Sequence, residues 1–328
     1  MLFENLVSLL DGELKNKPSI SSFHKIVFDS KKVKRGDLYF GDSKGIDEAL
    51  QNGAYGIVSN RFRVKDKEIA WIKVKNLDEA KLKYLRYLVI KNDSHVIYLN
   101  SVESEISKTI ELEKCYYIDS DIDKAILELN IKDEENLIVF TDREIFKKLE
   151  LISFEVVIKN SIEVIKSTIF LTTFLYRQSL YKDIKFPLVF KSELEKVLNL
   201  FDELKVEYSV EKLHFISHFR PLFLDSYFKL LPFGQSTKVL ILEPSKEFIS
   251  REIKYIKVSA SWAKVLLLMP HDIKLSEKID IDIKYFKNYA DIRKLNIFNY
   301  NFVIMIDIEN RYEKYLQKTE KEIKNTLF

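Results

Sequence analysis

The sequence predicts a multidomain α/β protein, and three observations lead to this prediction. Short apolar strands alternate with amphipathic helices along most of the 328 residues, which is typical of sheets covered by helices. Five of the 7 glycines fall between residues 23 and 59, so one turn-rich unit is expected near the start. A β-rich, aromatic stretch over residues 161–236 separates two α/β regions.

The first predicted domain covers residues 1–92 and is built around the glycine-rich window. Its elements are a helix over 2–12, strands over 25–29, 37–40, 55–59 and 69–74, and helices over 46–52 and 77–92. Gly53 directly follows the helix 46–52, where a glycine commonly ends a helix with a positive φ. The helix 77–92 carries one apolar stripe and is expected to brace the domain.

Residues 29–40 read DSKKVKRGDLYF, and residues 46–54 read IDEALQNGA. These two sequence segments resemble the N-terminal domain of the Mur ligases, of the MurE and MurF types. That family has D-S-R-x-V-x-x-G-D-L-F-F followed by a helix that ends in x-x-G-A. In the family this domain holds the UDP end of a UDP-muramoyl-peptide. The resemblance therefore implies a UDP-linked cell-wall precursor as ligand, with these binding residues: Asp29, Ser30, Lys31, Gly36 and Lys44.

The charge distribution agrees with an anionic ligand for this domain. Residues 23–92 contain 16 Lys and Arg against 9 Asp and Glu, whereas the whole chain has a net charge of only +3. A local excess of positive charge attracts anions. The alternative is a lysine-rich surface without a binding function.

The second predicted domain covers residues 93–236 and begins with a strand over 95–100. In Mur ligases a G-x-x-G-K-T phosphate loop follows this strand, and its glycines let backbone N–H groups surround phosphates. Here two alignments are possible, and each places Glu105 against the phosphates. We therefore expect a degenerate phosphate loop that starts a helix with Ser101 as N-cap, and no cofactor, no metal and no catalytic residue. Its residues are Ser101, Ser104, Glu105, Ser107, Lys108 and Thr109.

The rest of the second domain is predicted as an α/β part over 93–160 and a β-rich part over 161–236. The α/β part has helices over 106–112, 121–130 and 142–149 and strands over 115–118, 137–140 and 152–158. The β-rich part has a hairpin of strands 168–176 and 180–186, and then a helix over 192–205. Ser192 and Glu195 have the spacing of a capping box at the start of that helix.

Residues 213–236 form the second unusual stretch, with two histidines, two prolines and Gly234. A pair of strands would place His214 and His218 on the same side, although two histidines alone are a weak metal signal. Polar groups near a glycine turn can orient a substrate. Arg220 and Gln235 are therefore the candidate binding residues here.

The third predicted domain covers residues 237–328 and is Rossmann-like, similar to the last domain of Mur ligases. Its strands are expected over 239–243, 264–269, 281–286 and 302–306, and its helices over 246–257, 290–296 and 309–324. The family's K-G-S-R motif has no clear counterpart, because residues 307–311 read DIENR.

Composition limits the cellular setting. The single cysteine, Cys115, excludes an internal disulfide and fits a reducing compartment. The start of the chain lacks the features of a signal peptide, and no apolar run approaches the roughly 18 residues of a membrane span. We therefore expect a cytoplasmic protein without membrane insertion.

Three functions compete at this point. The first is a non-catalytic Mur-ligase-like protein that binds a peptidoglycan precursor or an envelope-synthesis protein. The second is an active but diverged ATP-dependent ligase. The third is an unrelated α/β scaffold, for which nucleic acid is the least favoured partner because basic charge occurs without a nucleic-acid-binding motif.

Overall fold

The computed structural model describes residues 1–112, 115–130, 137–159, 161–275 and 279–326. The chain forms two compact units: unit 1 is Met1–Asn100 with Lys114–Glu155, and unit 2 is Ser101–Glu113 with Val156–Phe328. Both contain helices packed on sheets with parallel strands, which confirms the predicted multidomain α/β class. Within the described residues, no helix combines the length and the apolar character that crossing a bilayer requires.

The first 92 residues form a five-stranded sheet with helices on both faces. The strands are β1 (Glu13–Leu14), β2 (Ile26–Val27), β3 (Leu38–Phe40), β4 (Gly56–Ser59) and β5 (Ala70–Lys73), in the order β1-β5-β4-β3-β2. Only β1 is antiparallel to its neighbour. The helices are α1 (Phe3–Leu9), α2 (Ile46–Gln51) and α3 (Leu77–Lys91).

Side chains alternate between the two faces of this sheet, as the strand period of two requires. Leu38 and Phe40 pack with α1 and α3, whereas Tyr39 and Trp71 pack with α2. Gly53 follows α2 with a φ of +87°, so the predicted glycine at the end of this helix is confirmed.

Asn76 caps α3, because its Oδ1 accepts hydrogen bonds from the N–H groups of Asp78 (2.9 Å) and Glu79 (3.4 Å). We expect Asn76→Ala to lower the free energy of unfolding of unit 1 by about 1 kcal/mol. Urea unfolding followed by tryptophan fluorescence, in chains that carry Trp262→Phe so that Trp71 alone reports, measures this effect. Asn76→Ser, which keeps a capping oxygen, should remain close to the wild type, and equal losses in both variants would contradict the assignment.

The next segment forms a small parallel sheet in unit 1. Its strands are β6 (His95–Tyr98), β7 (Cys115–Ile118) and β8 (Leu137–Phe140), in the order β6-β8-β7. Between β6 and β7 the chain forms α4 (Ser101–Ile110), which belongs to unit 2, and the later helices are α5 (Ile122–Leu129) and α6 (Arg143–Leu149). The strand predicted over 152–158 is wrong, because Ile152 is 94% exposed and this stretch joins no sheet.

Unit 2 continues with an antiparallel sheet and a buried helix. The strands β9 (Ile162–Ser167), β10 (Thr172–Tyr176) and β11 (Ser179–Ile184) have the order β11-β10-β9, and α7 spans Lys191–Leu204. The predicted hairpin is therefore the β10–β11 half of a three-stranded sheet.

The predicted capping box at α7 is wrong. Phe190 is the N-cap residue, and Ser192 Oγ bonds to the Glu193 carboxylate at 2.9 Å. The buried Glu195 carboxylate instead accepts from the Ile162 N–H (2.9 Å) and from Lys191 Nζ (2.7 Å). Glu195 thus links α7 to β9 by a hydrogen bond. A buried carboxylate is costly without donors, and here one donor comes from a different element.

The C-terminal sheet has six strands. They are β12 (Arg220–Leu224), β13 (Leu230–Leu231), β14 (Val239–Glu243), β15 (Val265–Pro270), β16 (Asp282–Phe286) and β17 (Phe302–Ile306), in the order β13-β12-β14-β17-β15-β16. The strands β14 to β17 are mutually parallel, and β12 is antiparallel to both of its neighbours, β13 and β14. The sheet therefore begins before residue 237. Two helices follow its strands, α8 (Ile249–Ser259) and α9 (Tyr312–Thr326).

The helix predicted over 290–296 is absent. Two short 3-10 helices, Tyr289–Lys294 and Ile297–Asn299, occupy the region. Asn296 between them has a φ of +50°, a left-handed conformation that ends a right-handed helix.

Candidate functional site

Two groups of predicted site residues lie in different units, and the first is at the carboxyl edge of the N-terminal sheet. In the turn after β2, Asp29 Oδ1 accepts from the Lys31 N–H at 3.0 Å, and Ser30 Oγ donates to Glu48 Oε2 at 2.6 Å. In the loop after β3, the Lys44 N–H donates to Asp42 Oδ1 at 3.0 Å. The carboxyl ends of parallel strands are where open α/β sheets bind ligands.

Glycine brings the two loops of this edge together. A Cβ on Gly45 would lie 2.9 Å from Ser30 Cβ, so a larger residue there would force the loops apart. The side chains of Lys31 and Lys44 are exposed. The edge therefore presents two lysines beside a closely packed turn.

Tyr39 is a member of this edge that the sequence analysis missed. Its hydroxyl donates to the Asp42 carbonyl at 3.3 Å and lies directly against Gly41 and Gly45. Burial, followed by the charges of Asp42, Asp29 and Glu48, raises the pKa of Tyr39 to about 12. The phenol is therefore neutral near pH 7. The glycines that follow it at positions 41 and 45 were the signal in the sequence.

Gly36 lies at the opposite end of β3 from Lys44, so the structure does not bring these two predicted residues together. Its φ is +95°, its N–H donates to the Gly53 carbonyl at 3.1 Å, and its carbonyl accepts from the His24 N–H at 2.8 Å. A Cβ on Gly36 would lie 2.5 Å from His24 Nδ1. Gly36 therefore shapes the turn and makes room for the His24 ring.

The second group lies on α4, where the stretch predicted as a degenerate phosphate loop is helical. The helix begins at Ser101 itself, so Ser101 is its first residue and not its N-cap. Ser104 Oγ donates to the Ser101 carbonyl at 3.1 Å, and Thr109 Oγ1 to the Glu105 carbonyl at 2.7 Å. Ser104 and Ser107 are buried.

Glu105 is held by a loop that is distant in the sequence. Its Oε2 accepts from the Ser217 N–H at 2.7 Å, and its Oε1 accepts from Ser217 Oγ in a short hydrogen bond. Two hydrogen bonds from the same residue hold the carboxylate in one position. Ser217 was not predicted, because nothing in the sequence links it to Glu105.

A cavity of about 570 Å³ opens beside this contact. Its wall brings four predicted residues together, Glu105, Lys108, Thr109 and Arg220, and adds Ser217 and Glu313. Arg220 holds Glu313 with two bonds, from Nε at 2.7 Å and from Nη2 at 3.2 Å. Of the two carboxylates of the wall, Glu313 is thus paired with a cation, whereas Glu105 is bound by uncharged donors.

Gln235, the other predicted binding residue of this region, lies in the turn between β13 and β14. It is exposed, and its N–H donates to the Pro232 carbonyl at 3.1 Å. A candidate role in ligand binding at this turn remains a prediction.

The two histidines do not share a face. His214 is exposed, with Nδ1 2.8 Å from the Lys212 carbonyl, whereas His218 is buried, with Nδ1 2.7 Å from Glu243 Oε1. The expected pair of strands is present as β12 and β13, but the histidines are not part of it, because both lie in the loop before β12. Among the described residues, no three His, Cys, Asp or Glu side chains are grouped to hold a metal.

Comparisons with known proteins give matches among solved structures alone. No protein-family model and no curated protein matches the sequence. The MurF ligase from Thermotoga maritima in complex with ADP has a TM-score of 0.57 and 14% identity, over 92% of this chain and 98% of that one. MurF from Acinetobacter baumannii has a TM-score of 0.56 and 11% identity, over 96% and 97% of the two chains.

A further structure from Acinetobacter baumannii is named as a UDP-N-acetylmuramoylalanyl-D-glutamyl-2,6-diaminopimelate--D-alanyl-D-alanyl ligase. It has a TM-score of 0.53 and 11% identity, over 97% of this chain and 98% of that one. At these identities the likeness concerns the fold.

Proposed function

We propose that this chain, which has the fold of the Mur ligases, binds a UDP-linked peptidoglycan precursor without ligating it. The absence of ligation rests on one observation: Glu105, on the continuous helix α4, is bound by Ser217 of a distant loop. The ligand class is suggested by the name of one structural neighbour, a UDP-N-acetylmuramoyl-peptide ligase.

The helical course of α4 and the charge of Glu105 argue against a triphosphate site there. A phosphate-binding loop needs free backbone N–H groups that converge on one point. Residues 101–110 are helical, and in an α-helix each N–H beyond the first four bonds to a carbonyl of the same helix. The Glu105 carboxylate adds repulsion, which at about 4 Å from a phosphate charge costs roughly 4 kcal/mol at an effective dielectric constant of ~20.

The carboxyl edge of the N-terminal sheet supports the first half of the proposal. Lys31 and Lys44 are exposed on the two loops that meet there, and residues 23–92 carry most of the chain's excess positive charge. Lysines of this kind bind a diphosphate as point charges. The partner of this edge is therefore an anionic precursor, and a protein of envelope synthesis is the alternative if that ligand fails to bind.

Isothermal titration calorimetry with UDP-N-acetylmuramoyl-peptide and, separately, with Mg-ATP tests the proposal. We expect the precursor to bind, and each of the variants Lys31→Gln and Lys44→Gln to weaken its binding about fivefold, as expected for one exposed ion pair. The exposed Lys124 of α5 provides a matched control, and Lys124→Gln should bind like the wild type.

Two results would contradict the proposal. Binding of Mg-ATP that Lys108→Ala abolishes would place a nucleotide at α4 and favour an active ligase. Lack of any binding by the precursor would leave a protein partner as the function of the edge.

A further inference from the structure

A groove of about 830 Å³ lies in unit 1, at the amino end of β2. Helices α1 and α3 supply Leu9, Leu88 and Lys91 to its wall, and the chain entering β2 supplies His24 and Lys25. The turn over residues 29–31 follows the other end of β2. The groove is therefore a separate site from the carboxyl edge described above.

Three basic residues line the groove, His24, Lys25 and Lys91, and no Asp or Glu is among the described residues of its lining. Other cations of α3 are paired, since Lys81 contacts Asp123 at 2.7 Å and Arg86 contacts Glu150 at 3.8 Å. In the part of the chain that the structure describes, neither Lys25 nor Lys91 has an ion pair. The groove thus concentrates positive charge that the described protein does not neutralise.

The floor of the groove is apolar and aromatic. Phe23, Ile26 and Leu88 are buried there, and the rings of Tyr84 and Tyr87 lie with centroids 6.0 Å apart. Tyr84 donates its hydroxyl hydrogen to Asn130 Oδ1 at 3.1 Å. Burial raises the pKa of Tyr84 to about 12, so the phenol adds no negative charge.

A small ligand fits this groove better than a peptide does. A peptide that joined the sheet at its edge strand β2 would need a row of free backbone groups. With only two residues, β2 is too short to offer such a row. The volume lies within the range of about 300–1,000 Å³ that is usual for small-molecule sites. Asn5, Ser8 and Asn130 add a few hydrogen-bonding groups to the wall.

We propose that this groove binds a nucleotide-sized organic phosphate, with its ring against Tyr87 and its phosphates at His24, Lys25 and Lys91. Aromatic side chains stack on any planar nucleobase. The basic side chains of the groove attract the phosphates. Gly36 supports the site, because a Cβ there would displace the His24 ring from its present position. This proposal does not depend on the proposed function.

Calorimetry with ADP, UDP and inorganic pyrophosphate tests the proposal on the full chain. We expect Lys25→Gln and Lys91→Gln each to weaken binding of all three probes about fivefold. Tyr87→Leu keeps an apolar side chain but removes the ring, so it should weaken ADP and UDP about tenfold and leave pyrophosphate unchanged.

Control variants separate this site from the other two. Lys124→Gln and Lys108→Ala should leave the affinity for ADP and pyrophosphate unchanged. The effects of Lys25→Gln and Lys91→Gln should persist when they are added to the double variant of Lys31→Gln with Lys44→Gln. Failure of all three probes to bind would overturn the proposal, as would binding that responds only to Lys108 or only to Lys31 and Lys44. The latter two results would leave the groove without a ligand but would not affect precursor binding at the carboxyl edge.

Discussion

Replacing His218 by leucine should lower the free energy of unfolding of unit 2 by about 3 kcal/mol, because it leaves a buried carboxylate with fewer donors. Glu243 is fully buried at the end of β14, and its Oε1 is 2.7 Å from His218 Nδ1. Backbone N–H groups of Phe219 (3.2 Å) and Ser245 (2.8 Å) also donate to it. Leucine fills much of the same space but donates nothing.

Hydrogen exchange of the β14 amides, together with urea unfolding followed by circular dichroism, measures this effect. His214→Leu is the matched control, since His214 lies four residues earlier and is exposed, and it should change stability little. If His218→Leu were as stable as His214→Leu, the contact with Glu243 would contribute nothing to the fold.

The stability of unit 2 should fall as the pH rises above the ordinary range of a glutamate, and Glu252→Gln should remove this fall. Glu252 is fully buried on α8, and neither of its oxygens has a donor among the described residues. Burial, followed by the neighbouring Glu243, raises the pKa of Glu252 well above 4.5, and Arg251 opposes this in part. The folded protein therefore keeps a proton on Glu252 that can bond to Glu243.

The direction follows from the protons bound in each state. Between pH 4.5 and the raised pKa of Glu252, the folded chain holds a proton that the unfolded chain has lost, so stability decreases with pH. Glutamine cannot ionise and should give a flatter profile from pH 5 to pH 9 in urea unfolding. The exposed Glu247 is the control, and Glu247→Gln should follow the wild type. Parallel profiles for wild type and Glu252→Gln would show that Glu252 is ionised in the folded protein.

Several strands could be predicted with their exact limits. Cys115–Ile118, Leu137–Phe140 and Phe302–Ile306 are short runs of mostly apolar residues between polar ones, and a buried parallel strand needs little more than such a run. The strand expected over 152–158 has the same local pattern, and the Phe154 N–H donates to the Val96 carbonyl of β6 at 2.6 Å, but the described residues form no ladder there. An apolar run becomes a strand only when a row of such bonds to a neighbouring strand forms.

The candidate sites were predicted in part. The loops at the carboxyl edge follow from the motif of residues 29–40, and Glu105 follows from its position after β6. Ser217 lies 112 residues from Glu105, and Glu313 lies 93 residues from Arg220. Local patterns contain no information about such pairs, and the groove at β2 was not predicted for the same reason.

The amino-acid sequence by itself determined the α/β class, the glycine-dependent turns and the likeness to the Mur ligases, because each depends on residues close together in the chain. Only the tertiary structure decided which groups donate to the buried glutamates, and where lysines without an ion pair among the described residues lie close together. The reason is physical: the apolar pattern of a strand and the glycine of a turn are local features of the sequence, whereas a buried charge must be satisfied by whatever the fold brings within hydrogen-bonding distance.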